Sequence, residues 1–204
     1  MTLEETLEQI KPLDKKAMDI ASKRWDSIAK PLHSLGKMEK LVIQIAGITG
    51  NSDMNVKKRA LVPMCADNGV VAEGVTQTGQ EVTAIVAENF LSGDTSACVM
   101  SRQCETRVIP VDIGMAVDTK VPTDLKIAYG TANMTQGPAM TREQAVQALE
   151  VGIEMVRRLK EEGYGLLATG EMGIGNTTTS SAVASVLLNQ PVEEMTGRGA
   201  GLSG

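Results

Sequence analysis

Aromatic side chains are nearly missing, since Trp, Tyr and Phe together make up 2% of the 204 residues. The core must therefore be aliphatic, with the 12 methionines as gap fillers. Histidine occurs once, at His33, and cysteine three times, at Cys65, Cys98 and Cys104, with no C-x-x-C spacing. This scarcity leaves no ligand set for a metal site and no partner for a Ser- or Cys-based triad; buried free thiols are expected, and His33 reads as a turn residue. Positive charge is not in excess either, with 20 basic against 25 acidic residues and a net charge of -5. Without a basic stripe to follow a phosphate backbone, nucleic acid is excluded as a partner. No run approaches the ~18 to 20 apolar residues of a membrane span, and the opening MTLEETLEQI is acidic where a signal peptide would be basic and then apolar. The expectation is a cytoplasmic protein.

What the chain does have is aliphatic bulk and glycine. A hydrophobic content of 42% over this length suffices for one core plus a small helical unit, and the 20 glycines need a separate explanation. Residues 3–48 read as helical, with Leu35, Met38, Leu41, Val42, Ile45 and Ile48 recurring at three- and four-residue steps. The segment KPLHSLGKME at 30–39 interrupts them: Pro31 forces Lys30 to be extended, and Ser34 is expected to cap the helix beginning near Gly36. This region is taken as a small helical unit over residues 1–55, followed by an α/β domain over 56–204.

In that second domain ALVPMCA at 60–66 is a short apolar run ending at Asp67, Asn68 and Gly69, as expected of a buried strand. Helical spacing follows at 82–91, carried by Val82, Ile85, Val86, Asn89 and Phe90, and again at 95–103. A second strand is expected at 107–111, ending at Asp112 and Gly114, and then an irregular stretch over 116–139. Thr141 and Gln144 form a capping box for a helix that Gly163 ends. A third strand at 166–169 leads into GEMGIGNTTTS, and 181–188 is helical. Strands alternating with helices imply a parallel sheet covered on both faces.

Each of the three expected strands ends with an acid beside glycine: Asp67, Asp112 and Glu171. One Asp-Gly pair makes a turn; three at the carboxyl edge of a parallel sheet, where ligands bind, point to an acidic, glycine-lined site fit for sugar hydroxyls and a proton. Residues 170–177 read G-E-M-G-I-G-N-T, a P-loop spacing with Asn176 in place of the lysine. Without that lysine a triphosphate loses its main cation partner, whereas backbone N–H groups and a helix starting near Thr177 can still cradle one phosphate. A nucleoside monophosphate or sugar phosphate is favoured over ATP, and a glycine turn that only lets a helix approach the sheet remains open. There is no G-x-G-x-x-G after a strand and no G-x-S-x-G elbow.

Taken in order, KPLHSLGKME (30–39), CADNGVVAEGV (65–75), QEVTAIVAENFLSG (80–93), VDIG (111–114), YGTANMTQGPAM (129–140), GEMGIGNTTTSSA (170–182) and GRGAGL (197–202) resemble the nicotinate-nucleotide:dimethylbenzimidazole phosphoribosyltransferases. The resemblance implies a doubly wound α/β fold with a small helical unit, a homodimer, and no metal or redox cofactor. It implies transfer of phosphoribose from nicotinate mononucleotide to a benzimidazole-type base with inversion, releasing nicotinate and giving α-ribazole phosphate during cobalamin assembly. Carried over by residue, it makes Glu171 the acid of the glycine loop and assigns Met172, Gly173, Gly175, Asn176 and Thr177 to the nucleotide. Gly199 and Gly201 form a second glycine segment, and Thr78, Val82 and Val86 form the base wall. Better-studied relatives carry serine and glutamine where Thr78 and Val86 stand, so a purine or phenolic base is an expectation here. The family's main general base has no counterpart before Gly204, so the fold is expected to be incomplete at its C-terminus and to expose apolar surface. A non-catalytic nucleotide-binding subunit is the alternative.

Overall fold

The computed structural model describes residues 1–199. The chain divides into two compact units, Met1–Lys58 and a second that begins at Arg59.

The first unit is helical. Helix α1 (Leu3–Glu8) is closed by a capping box between Thr2 and Glu5, α2 (Lys15–Ser27) is capped by the Asp14 side chain, and α3 (Lys37–Thr49) ends at Gly50 in the left-handed region. The buried cluster is made of small residues, Ala17 and Ala21 of α2 against Ala46 of α3, with Ile43 and Met54 beside it. Small side chains let two helix backbones approach closely, and the large apolar side chains of the sequence pattern are left outside: Leu35, Met38, Leu41 and Ile48 are all exposed. Ser34 does not cap α3. Gly36 occupies that position at φ 55° with no side-chain hydrogen bond. The turn is held instead by buried Glu39, whose carboxylate accepts from the Leu35 N–H at 3.1 Å and pairs with Lys30 Nζ at 2.8 Å. The Lys30 hydrogen bond holds the Glu39 carboxyl below its ordinary range.

The second unit is built around strand β1 (Arg59–Ala66), which pairs in parallel with β2 (Thr106–Val108), β3 (Val111–Gly114) and β4 (Leu166–Met172). Strand β4 runs along residues 59–65 of β1, while β2 pairs residues 59–61 and β3 residues 64–66, so the two short strands share the opposite edge. The single strand expected at 107–111 is thus two pieces, because Pro110 has no N–H to donate and breaks the ladder. Side chains of β1 alternate between two faces. Ala60, Val62 and Met64 pack with Val111 against Met155 and Leu159 of α6 (Arg142–Glu161), and Cys65 packs with Ala87 of α4 (Glu81–Ser92) together with Met115 and Val121. Helices therefore cover both faces of a parallel sheet, as the strand–helix alternation implies. On α4 the buried face is Thr83 and Ala87, while Ile85 of the expected stripe is 56% exposed.

Helix α5 (Ser96–Gln103) is capped by the Thr95 side chain, and α6 opens on the Thr141–Gln144 capping box and stops before Gly163, at φ 86°. Residues 115–141 carry no helix or strand. Strand β4 continues to Met172, past the expected end at Thr169, and α7 (Asn176–Leu188) begins directly after Gly175. A short α8 (Val192–Met195) follows Pro191. Cys65 and Cys98 are buried as expected; Cys104 is exposed. Among the described residues no helix is long and apolar enough to cross a membrane, and no group of His, Cys, Asp or Glu is arranged to hold a metal ion.

Candidate functional site

The turn between β4 and α7 is set by three tight constraints. A Cβ on Gly173 would collide with the backbone oxygen of Ala66 at the end of β1, so only glycine lets the loop lie on the sheet edge. Gly175 sits at φ 86°, and a Cβ there would stand 2.9 Å from Val71 Cγ2. Both polar groups of Ile174 are taken by side chains from elsewhere: its N–H donates to Thr83 Oγ1 at 3.0 Å, and its carbonyl accepts from Asn68 Nδ2 at 3.1 Å. Asn68 Oδ1 in turn accepts from Thr179 Oγ1 at 2.9 Å.

Above this turn lies a cavity of about 590 Å³. Its floor is Met172, Gly173, Ile174 and Gly175 with Asn176, Thr177, Thr178 and Ser181 of α7; one wall is Val75, Thr76, Gln77 and Thr78, and the other is Thr196, Gly197, Arg198 and Gly199. The first N–H groups of α7 have no partner within the helix and carry the positive end of its dipole. Gly199, at φ 59°, brings its backbone against Thr177, where a Cβ would stand 3.0 Å from Oγ1. The lining thus combines backbone N–H groups, hydroxyls of Thr177, Thr178 and Ser181, and the guanidinium-bearing Arg198, with no lysine. Such a surface suits a single phosphate group with an organic body attached.

Glu171 is the penultimate residue of β4 and accepts from Asn176 Nδ2. Partial burial pushes its carboxyl above the ordinary carboxylate value, and the Asn176 hydrogen bond offsets this only in part. It does not line the cavity itself, but the two residues that follow it, Met172 and Gly173, do.

The other two acids do different work. Asp67 follows β1 and is buried; its Oδ2 accepts from the Ala116 N–H at 2.8 Å. Asp112 lies inside β3, paired with Cys65 rather than standing past the strand end, and is fully buried. Its Oδ1 accepts from the Met115 N–H at 2.9 Å and its Oδ2 lies 3.1 Å from Lys126 Nζ. Both carboxylates hold the backbone just after β3, at Met115 and Ala116, and neither lines the cavity. Glu171 also lies within its strand, opposite Met64. The acid triad expected at the strand ends is therefore not assembled around one opening. Of the base-wall trio, Thr78 lines the cavity; Val82 and Val86 flank the buried face of α4 and do not. Gly201 lies outside the described residues.

Residue reasoning passed over Asn68, Thr83, Thr179 and Arg198. A threonine on the buried face of α4 was a usable signal, because a buried hydroxyl needs a partner. Arg198, inside GRGAGL, carried the positive charge that the glycine loop lacks.

Parallel strands, a glycine turn at the carboxyl end of β4 and an open helix N-terminus define an α/β protein with a candidate ligand site at its sheet edge. Comparison with known proteins narrows this. A phosphoribosyltransferase family model matches residues 10–204, and the chain belongs to that family, the nicotinate-nucleotide:dimethylbenzimidazole phosphoribosyltransferases. It is similar to the nicotinate-nucleotide--dimethylbenzimidazole phosphoribosyltransferase of Ruminiclostridium cellulolyticum, at 51% identity over all of this chain and 58% of the relative. The enzyme of the same name from Clostridium tetani is 48% identical over 98% of this chain and 56% of its own length. The crystal structure of CobT from Thermus thermophilus superposes with a TM-score of 0.83 at 39% identity, covering 92% of this chain and 57% of that one. The chain thus spans a little over half the length of the relatives it matches.

Proposed function

We propose that this chain takes part in phosphoribosyl transfer from nicotinate mononucleotide to a benzimidazole-type base, giving nicotinate and α-ribazole phosphate. The observation that carries the reading is the lysine-free cradle at 173–178, closed from the far side by Gly197, Arg198 and Gly199. Its donors match one phosphate monoester, and the remaining volume accommodates ribose and a ring.

In the reaction, the bond between the anomeric carbon and the pyridine nitrogen breaks while a ring nitrogen of the incoming base bonds to that carbon from the opposite face. The bonding pair stays on the pyridine nitrogen, so nicotinate leaves without needing a proton. The incoming base must lose the proton on its second ring nitrogen. Glu171 is the acid of the glycine loop that this reading assigns beside the site, distinct from the family's main general base: partial burial raises its pKa, and the Asn176 amide fixes its orientation. Met172, Gly173, Gly175, Asn176 and Thr177 are assigned to the nucleotide, and Thr78 to the base. No step calls for a metal or cofactor. Pairing with a second copy is part of the proposal, supported by the exposed apolar residues Val183, Val186, Leu187 and Leu188 along α7.

The test is to incubate the protein with nicotinate mononucleotide and dimethylbenzimidazole, adenine or p-cresol in parallel, and to measure released nicotinate. Release that depends on a base is expected, and Glu171→Ala should lower it about 100-fold, the scale of a lost acid–base group. A rise in melting temperature with the mononucleotide but no turnover would favour a non-catalytic nucleotide-binding subunit. Neither turnover nor binding would remove the reading.

A further inference from the structure

The cradle is not shaped by its own residues alone. Every hydrogen bond that Ile174 makes through its backbone goes to a side chain far away in sequence: the N–H to Thr83 on α4 and the carbonyl to Asn68 after β1. Asn68 is also tied to the first turns of α7 through Thr179 Oγ1 at 2.9 Å, and its own carbonyl accepts from Gln80 Nε2 at 3.2 Å. Thr83 is fully buried and Asn68 is 9% exposed. Neither lines the cavity.

We infer that Asn68 and Thr83 are positioning residues for the phosphate cradle, acting through the two peptide planes that flank Ile174. The planarity of the peptide bond supplies the mechanism. In a trans peptide the C=O and the following N–H point in opposite directions. With the Ile174 carbonyl held on Asn68, the Gly175 N–H faces away from Asn68. With the Ile174 N–H held on Thr83, the Gly173 carbonyl faces the other way, where it accepts from the Asn176 N–H at 3.1 Å and starts α7. Two glycines in this turn leave the backbone free to flip either peptide, since no Cβ opposes it. The Asn68 amide and the Thr83 hydroxyl select the one arrangement in which the donor points outward, so the anion meets a preformed set of N–H groups instead of ordering them on binding. Thr179 makes the device a unit, since the Asn68 amide cannot turn over without exchanging donor for acceptor on both partners at once.

The inference rests on the nucleotide reading given above, and the experiment separates the two. Affinity for nicotinate mononucleotide and for nicotinate riboside, which lacks the phosphate, is measured by calorimetry for the unaltered protein, Asn68→Ala, Thr83→Val and Thr83→Ser, with melting temperatures alongside. Thr83→Val is close to isosteric and removes only the acceptor; Thr83→Ser restores it. Expected are about tenfold weaker mononucleotide binding for Asn68→Ala and Thr83→Val, riboside binding unchanged, and near-full recovery in Thr83→Ser. Equal loss of mononucleotide and riboside, or no loss in a folded Thr83→Val, overturns the positioning role while leaving the nucleotide site standing. Failure of the unaltered protein to bind the mononucleotide overturns both.

Discussion

Glu171 has its carboxyl raised by partial burial from an ordinary value of 4.5. A raised folded-state pKa means that the folded protein holds this proton more tightly than the unfolded chain does. The contribution is therefore present below the unfolded value and is lost as pH rises through the folded one. Glu171→Gln, which cannot ionise, should melt at the same temperature as the unaltered protein at low pH and at a higher one above the Glu171 titration; thermal melts across pH check this. Glu39 has the opposite sign. Lys30 lowers its pKa, so its contribution is present above the ordinary carboxylate range and is lost as pH falls through the folded value. Glu39→Gln should lower the melting temperature at neutral pH and have less effect in acid.

On the scale of single elements, the β4–α7 turn and the start of α6 make separable demands. Gly173→Ala would place a methyl group on the Ala66 carbonyl and force the loop off the sheet edge, so mononucleotide binding should disappear in calorimetry while far-ultraviolet circular dichroism is retained. Thr141→Ala removes the side-chain half of the α6 capping box and should cost about 1 kcal/mol of stability in denaturant melts, with no effect on binding. That capping box is complete in the tetrapeptide TREQ and depends on nothing beyond it, so it was legible from residues alone, as was the Gly163 stop; the split of the second strand at Pro110 was not read. The face of a helix that turns inward was not equally legible. On α3 and α4 the large apolar residues suggested one side, and close packing selected the small ones: Ala46 on α3, Thr83 and Ala87 on α4. Hydrophobic periodicity measures how much area a face could bury, whereas the distance between backbones decides which face fits.

For the molecule as a whole, α7 is apolar on more than one side, and Val186 and Leu187 are 80% and 77% exposed. A helix of that character is normally covered on every side. Concentration-dependent association is expected in sedimentation velocity. Leu187→Glu should weaken it while shifting stability by no more than about 0.5 kcal/mol, since that side chain is already in water.

The residues alone determined the parallel α/β class, the glycine turn that ends the third apolar run, its lack of a lysine and the family to which these segments belong. Those properties are local or are carried by segments in order, and they survive without knowing what touches what. Tertiary structure decided the rest. It withdrew Asp112 and Asp67 into the turn after β3, set Thr78 on the cavity while Val82 and Val86 stayed off it, and brought Arg198, Asn68 and Thr83 to a loop 24 to 106 residues away in sequence. The physical reason is that a carboxylate's role is set by the donors that reach it, and a peptide's orientation by the side chains that hold it; both are facts of distance in space, which residue spacing along the chain does not encode.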